Sequence, residues 1–131
     1  MKKIMNVVLL VLCVILCAGI KLVFHACEVG ENIMACHWAE QAVFAFGIVL
    51  VVQSLGLMFF REAGVRKGIC FSIIPIAVIT ALIPGVFIHL CMMNDMRCHT
   101  VMRPAVIILT VLIVMCAIVN IVLESSDENR K

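Results

Sequence analysis

Four long apolar runs, residues 4–24, 38–60, 69–90 and 105–123, are separated by short segments in which the polar residues concentrate. Each run has about 20 residues, the length an α-helix rising about 1.5 Å per residue needs to cross about 30 Å of hydrocarbon. None alternates apolar with polar positions as a barrel strand does, and an open sheet would leave backbone groups unpaired in lipid. The pattern predicts an all-α membrane protein, a single domain over 1–131, whose four transmembrane helices form two duplicated hairpins. Loops 25–37 and 91–104 close the hairpins, and loop 61–68 joins them.

Composition strengthens this reading. Of 131 residues, 65% are hydrophobic and only 14% charged, whereas soluble domains are about half apolar. The lysines and arginines then set the orientation. Lys2, Lys3, Arg61, Arg66, Lys67, Arg130 and Lys131 fall on one side of a four-crossing chain, against Arg97, Arg103 and Lys21 toward the other. The positive-inside rule places both termini and loop 61–68 in the cytoplasm and loops 25–37 and 91–104 outside, in a cytoplasmic membrane. Trp38 suits an interfacial anchor, and Lys21 is close enough to its helix end to snorkel toward water. The N-terminal "MKK" and the run after it read as the first span rather than a cleaved signal: Lys21 interrupts the run, and Phe24, His25 and Ala26 before Cys27 make a poor small-residue cleavage site. A net charge of +2, placed as insertion requires, gives no argument for a nucleic-acid partner.

The outer loops share a phrase. "HACEVGENIMACHW" begins at His25 and "HLCMMNDMRCHT" at His89. Aligning Cys36 with Cys98 also matches Met34 with Met96 and His37 with His99. Two residues of difference in the spacer bring His25 and Cys27 onto His89 and Cys91. The chain therefore reads as a hairpin duplicated in one orientation, with a pseudo-twofold axis along the membrane normal.

Three chemistries compete for the phrase. An oxidising compartment and an even cysteine count favour two loop-local disulfides, Cys27 to Cys36 and Cys91 to Cys98, each contributing about 2 to 3 kcal/mol by the chain-entropy relation. A cross-loop pairing such as Cys27 with Cys91 stays open. The second is a metal or haem site. His25, His37, His89 and His99 with the cysteines supply a zinc-type ligand set, nearby methionines suit Cu(I), and haem could use the histidines alone. The adjacent Cys36 and His37 are awkward ligands for one ion, and oxidised cysteines do not bind as thiolates. The histidines otherwise read as interfacial, hydrogen-bonding or proton-handling groups. The third is redox work. One cysteine pair per outer loop resembles in outline the quinone-linked disulfide-generating enzymes of the DsbB type, which would make His99 and Arg103 thiolate- or quinone-stabilising groups. Those enzymes carry a tight Cys-x-x-Cys pair, and neither pair here is so spaced. No cofactor is favoured.

The stretches "CHWAEQA", from Cys36, and "CMMNDMRCHTVMRPA", from Cys91, carry a closer resemblance, to a family of small bacterial four-helix membrane proteins catalogued as a domain of unknown function. The resemblance implies the four-helix fold and a gene neighbourhood of transport ATPases and their permeases. It implies no activity.

Within the runs, Cys13, Cys17, Cys70 and Cys116 read as small buried hydrophobes. Gln53, Thr80, Thr110 and Asn120 should face the bundle interior, where partners exist. Ala77, Ala81 and Gly85 recur every fourth residue and would let a neighbouring helix approach closely, while Pro75 and Pro84 can kink that helix. Glu40, near the level of Arg103, suggests an ion pair between the repeats. The tail from residue 124 reads as short, polar and frayed.

No phosphate-cradling loop, catalytic triad or paired carboxylates are present. The resulting expectation is a non-enzymatic accessory or interaction subunit of a membrane transport or envelope assembly. Its environment is the lipid bilayer, and its partner an ATP-driven transporter's permease or a second copy of the chain.

Overall fold

The computed structural model describes residues 1–22, 35–83, 86 and 103–131. They form α1 (Lys2–Leu22), α2 (Ala35–Phe59), α3 (Ala63–Leu82) and α4 (Arg103–Arg130). All four are long and apolar enough to span a bilayer. Each packs against two neighbours, in the ring α1–α2–α3–α4–α1, and the α1–α2 and α3–α4 hairpins are the more closely packed pairs. Ion pairs from Lys2 to Glu124 and from Lys21 to Glu40 show that successive helices run antiparallel. One end of the bundle thus holds both termini and the α2–α3 turn, and will be called the termini end.

Two helices exceed the runs that announced them. α3 starts at Ala63, so the expected loop 61–68 contracts to residues 60–62. The stretch "AGVRKG" continues the helix, with Arg66 and Lys67 reaching carboxylates on α4. At 28 residues, α4 is about 42 Å long against about 30 Å of hydrocarbon, so its last turns project past the apolar run that ends at Leu123. There the tail is helical through Arg130 rather than frayed, held by pairs from Lys2 to Asp127 and from Lys67 to Glu128.

The interior follows a seven-residue repeat. The buried positions are 6, 9, 13, 16, 19 and 20 on α1; 40, 43, 47, 50, 54 and 57 on α2; 70, 73, 77 and 80 on α3; and 106, 110, 113, 117, 120 and 124 on α4. Position 19 apart, steps of three and four in alternation are the knobs-into-holes pattern of a left-handed bundle. Apart from Ile20 on α1, residues seven apart in one series are small or polar: Asn6 and Cys13; Glu40, Gly47 and Ser54; Cys70 and Ala77; Thr110, Ala117 and Glu124. Between them stand mostly large side chains such as Leu9, Leu50, Ile73 and Ile113, all fully buried. Bilayers give helices no hydrophobic drive to associate, so this interlocking of small with large must supply the packing energy.

The same positions bring out the duplication. Moving the buried α1 positions 6, 9, 13 and 16 forward 64 residues gives 70, 73, 77 and 80 of α3. A shift of 63 converts 43, 47, 50, 54 and 57 of α2 into 106, 110, 113, 117 and 120 of α4. The first shift is also the one that sets His25 on His89 and Cys27 on Cys91.

The polar residues of the spans face inward as expected, but most bond to their own helix. Thr80 donates to the carbonyl of Ile76, Thr110 to Val106 and Ile107, and Ser54 to Leu50 and Val51. Such back-bonding satisfies a hydroxyl in lipid without a second helix. Gln53 crosses between helices, donating from Nε2 to Ser72 Oγ at 2.9 Å, close to Pro75 in α3.

Candidate functional site

Loops 25–34 and 87–102 lie outside the described residues. So do His25, Cys27, His89, Cys91, Cys98 and His99, while Cys36 and His37 are described only as backbone at the start of α2. What can be built from side chains is the frame beneath these loops, the ionic end opposite, and the surface between.

Beneath the loops, Lys21 in the last turn of α1 meets Glu40 in the second turn of α2, Nζ to Oε1, at 3.2 Å. The carboxylate is buried and the lysine half-exposed, with its ammonium 5.0 Å from the centre of the Phe44 ring. A charged pair and a cation–π contact thus tie together the end of the first hairpin opposite the termini. The sequence pattern lets Lys21 reach toward water and sets Glu40 near the level of Arg103. Arg103 opens α4, diagonally across the ring from α2, and is exposed. The signal available was chain direction: in an antiparallel hairpin the end of α1 meets the start of α2. Trp38 is exposed, as an interfacial anchor would be.

At the termini end, Glu124 is buried and lies 3.4 Å from Lys2 and 3.7 Å from Arg66. Those two cations occupy equivalent places in the two repeats, 64 residues apart, so the carboxylate is held from both halves. Asp127 and Glu128 lie beyond the apolar run. A hydrogen bond from Lys2, then its charge, holds the Asp127 carboxyl below the ordinary aspartate value, and Lys67 does the same for Glu128.

Between the ends, each hairpin carries an apolar groove along its outer seam. One runs between α1 and α2, past Val14, Cys17, Ala18, Ile48 and Val52; the other runs between α3 and α4, past Val78, Ala81, Leu82, Val111 and Met115. The grooves are equivalents. The shifts of 64 and 63 carry Val14, Cys17 and Ala18 onto Val78, Ala81 and Leu82, and Ile48 and Val52 onto Val111 and Met115.

The described cysteines, Cys13, Cys17, Cys70 and Cys116, are free thiols set in the helices. Cys17 Sγ fills the space above Gly47, where a Cβ would lie 2.7 Å from it. Among the described residues, no three His, Cys, Asp or Glu side chains gather as metal ligands.

Four antiparallel helices of membrane length, apolar outside and interlocking small or polar with large apolar side chains within, define a small multi-pass membrane protein. Residues 9–123 match the family described as a domain of unknown function, DUF4418, and the chain belongs to that family. No curated protein and no solved structure matches the chain.

Proposed function

We propose that this protein is a non-enzymatic accessory subunit of a membrane transport or envelope assembly, and that transmembrane helices of its partner seat in the two seam grooves. The observation supporting this most is the equivalence of the grooves. Each is apolar and bordered by small residues, Cys17 and Ala18 on one seam and Ala77 and Ala81 on the other, which allow close helix approach in lipid. Two like grooves related by the pseudo-twofold suit a partner with two similar helices. An ATP-driven transporter's permease fits that description.

The proposal keeps both termini cytoplasmic, from the placement of lysines and arginines. It closes the outer loops with disulfides Cys27 to Cys36 and Cys91 to Cys98, from compartment and spacing. The His/Cys phrase would then be a rigid cap over the hairpins.

The test is co-purification of tagged protein from its native membrane in mild detergent. Ala18→Leu and Ala81→Leu fill the grooves from exposed or half-exposed positions. Together they should abolish recovery of the permease while leaving thermal unfolding of the bundle unchanged. Undiminished recovery with both grooves filled would refute the proposal, as would recovery of further copies of the chain alone.

A further inference from the structure

The termini end holds buried polar side chains whose hydrogen-bonding capacity the protein does not use up. Asn6 of α1, Leu57 of α2, Cys70 of α3 and Asn120 of α4 share one level of the bundle. Asn6 Nδ2 donates to the carbonyl of Leu57 at 3.4 Å. Asn6 and Asn120 each lie one helical turn further in than the Lys2–Glu124 pair, and the repeat shifts carry Asn6 onto Cys70 and Leu57 onto Asn120. Both asparagines are at least nine-tenths buried, at 5% and 4% exposure. Yet among the described residues Asn6 Oδ1 and Asn120 Nδ2 have no hydrogen-bond partner, and neither Arg66 Nε in the charged layer above nor Gln53 Oε1 one turn further in on α2 has one.

A buried amide group without a partner costs about 1 to 3 kcal/mol, more where no water can reach it. The two orphaned amide atoms are of opposite kind, one acceptor and one donor, on adjacent helices at one level. We propose that a resident water occupies this level, donating to Asn6 Oδ1 and accepting from Asn120 Nδ2. The chemistry selects the ligand: a bare cation would find one free oxygen, and an anion drawn to Asn120 Nδ2 and Arg66 Nε would meet the buried Glu124 carboxylate 3.7 Å from the guanidinium. Water supplies both a donor and an acceptor and keeps capacity for a further bond toward the Glu124 and Arg66 layer.

The next layer limits how far hydration goes. Leu9 and Ile73 are fully buried, Ala117 is apolar, and the Ser54 hydroxyl is already bonded to its own helix. The bridging water is therefore confined to the Asn6–Asn120 level, since Leu9, Ile73 and Ala117 offer it no polar partner.

Magnetisation transfer from water, recorded by NMR on ¹⁵N-asparagine-labelled full-length protein in deuterated lipid nanodiscs, tests this directly. Side-chain amide cross-peaks with water are expected at both Asn6 and Asn120 in the unaltered protein. Asn6→Leu should reduce the Asn120 cross-peak to background while the other amides keep their shifts. Absence of the Asn120 cross-peak from the unaltered protein would overturn the proposal without recourse to a variant. Its persistence in folded Asn6→Leu would overturn the bridge.

Discussion

Asn6 caps a helix to which it does not belong: its side-chain amide donates to the carbonyl of Leu57, 51 residues away. Had α2 continued, that carbonyl would accept from the amide of Arg61. The helix stops at Phe59, which leaves the carbonyl an orphan of the last turn. Replacing Asn6 with leucine bares it inside the bundle and should lower stability by about 1 to 3 kcal/mol. Asn120→Leu removes an amide with no protein partner for its Nδ2 and should cost less. Unfolding of both variants in mixed micelles gives the order, and the reverse order would contradict the capping role.

Gly47 and Cys17 should behave as one packing unit. A Cβ on Gly47 would lie 2.7 Å from Cys17 Sγ but 4.0 Å from its Cβ. Gly47→Ala alone is expected to destabilise the α1–α2 hairpin by about 1 to 2 kcal/mol through overpacking. In a Cys17→Ala background the same change should be near neutral, since the sulfur it strikes is gone. A double-mutant cycle of thermal unfolding measures the coupling, and additive effects would show that the contact carries no strain.

The spans were legible in the sequence because their composition alone defines them. The face each helix turns inward was not. On α1, Leu9 is buried and Val8 exposed; on α2, Leu50 is buried and Val49 exposed. Where lipid and interior are both apolar, hydrophobicity does not distinguish the two sides. The readable signal was smallness and polarity at seven-residue intervals, as in Glu40, Gly47 and Ser54 or Thr110, Ala117 and Glu124. The Lys21–Glu40 pair escaped for another reason: matching residues between the repeats drew Glu40 toward α4, when hairpin direction had already placed it beside α1. The His/Cys phrase was the most legible chemistry in the sequence, and its residues lie at or beyond the edge of the described structure.

The termini end should respond to pH through Lys2 and Asp127. Their hydrogen bond lowers the Asp127 pKa below 3.8 and raises that of Lys2 above 10.5. A depressed carboxyl stabilises the fold fully above its ordinary value, and this is lost as pH falls through the lower folded value. A raised amine stabilises it fully below 10.5, and this is lost as pH rises through the higher folded value. The Tm difference between unaltered protein and Asp127→Asn should therefore be positive and flat from about pH 5 to pH 10, and shrink below about pH 4. A difference that grew on acidification would contradict the pairing.

Cysteine chemistry separates the cap from the core. The chain has eight cysteines, of which Cys13, Cys17, Cys70 and Cys116 are free. Alkylation of denatured, unreduced protein should label those four, and alkylation after reduction all eight, with mass spectrometry joining Cys27 to Cys36 and Cys91 to Cys98. Eight labels without reductant would remove the proposed disulfides and favour thiolate ligation in loops 25–37 and 91–104.

Site-directed photo-crosslinking in intact cells bears most directly on the seam grooves as seats for partner helices. A photoreactive residue at Ala18 and another at Ala81 should each capture the same permease subunit, while one at Phe71, exposed outside both grooves, captures lipid. Capture of lipid alone from both groove positions would contradict the account.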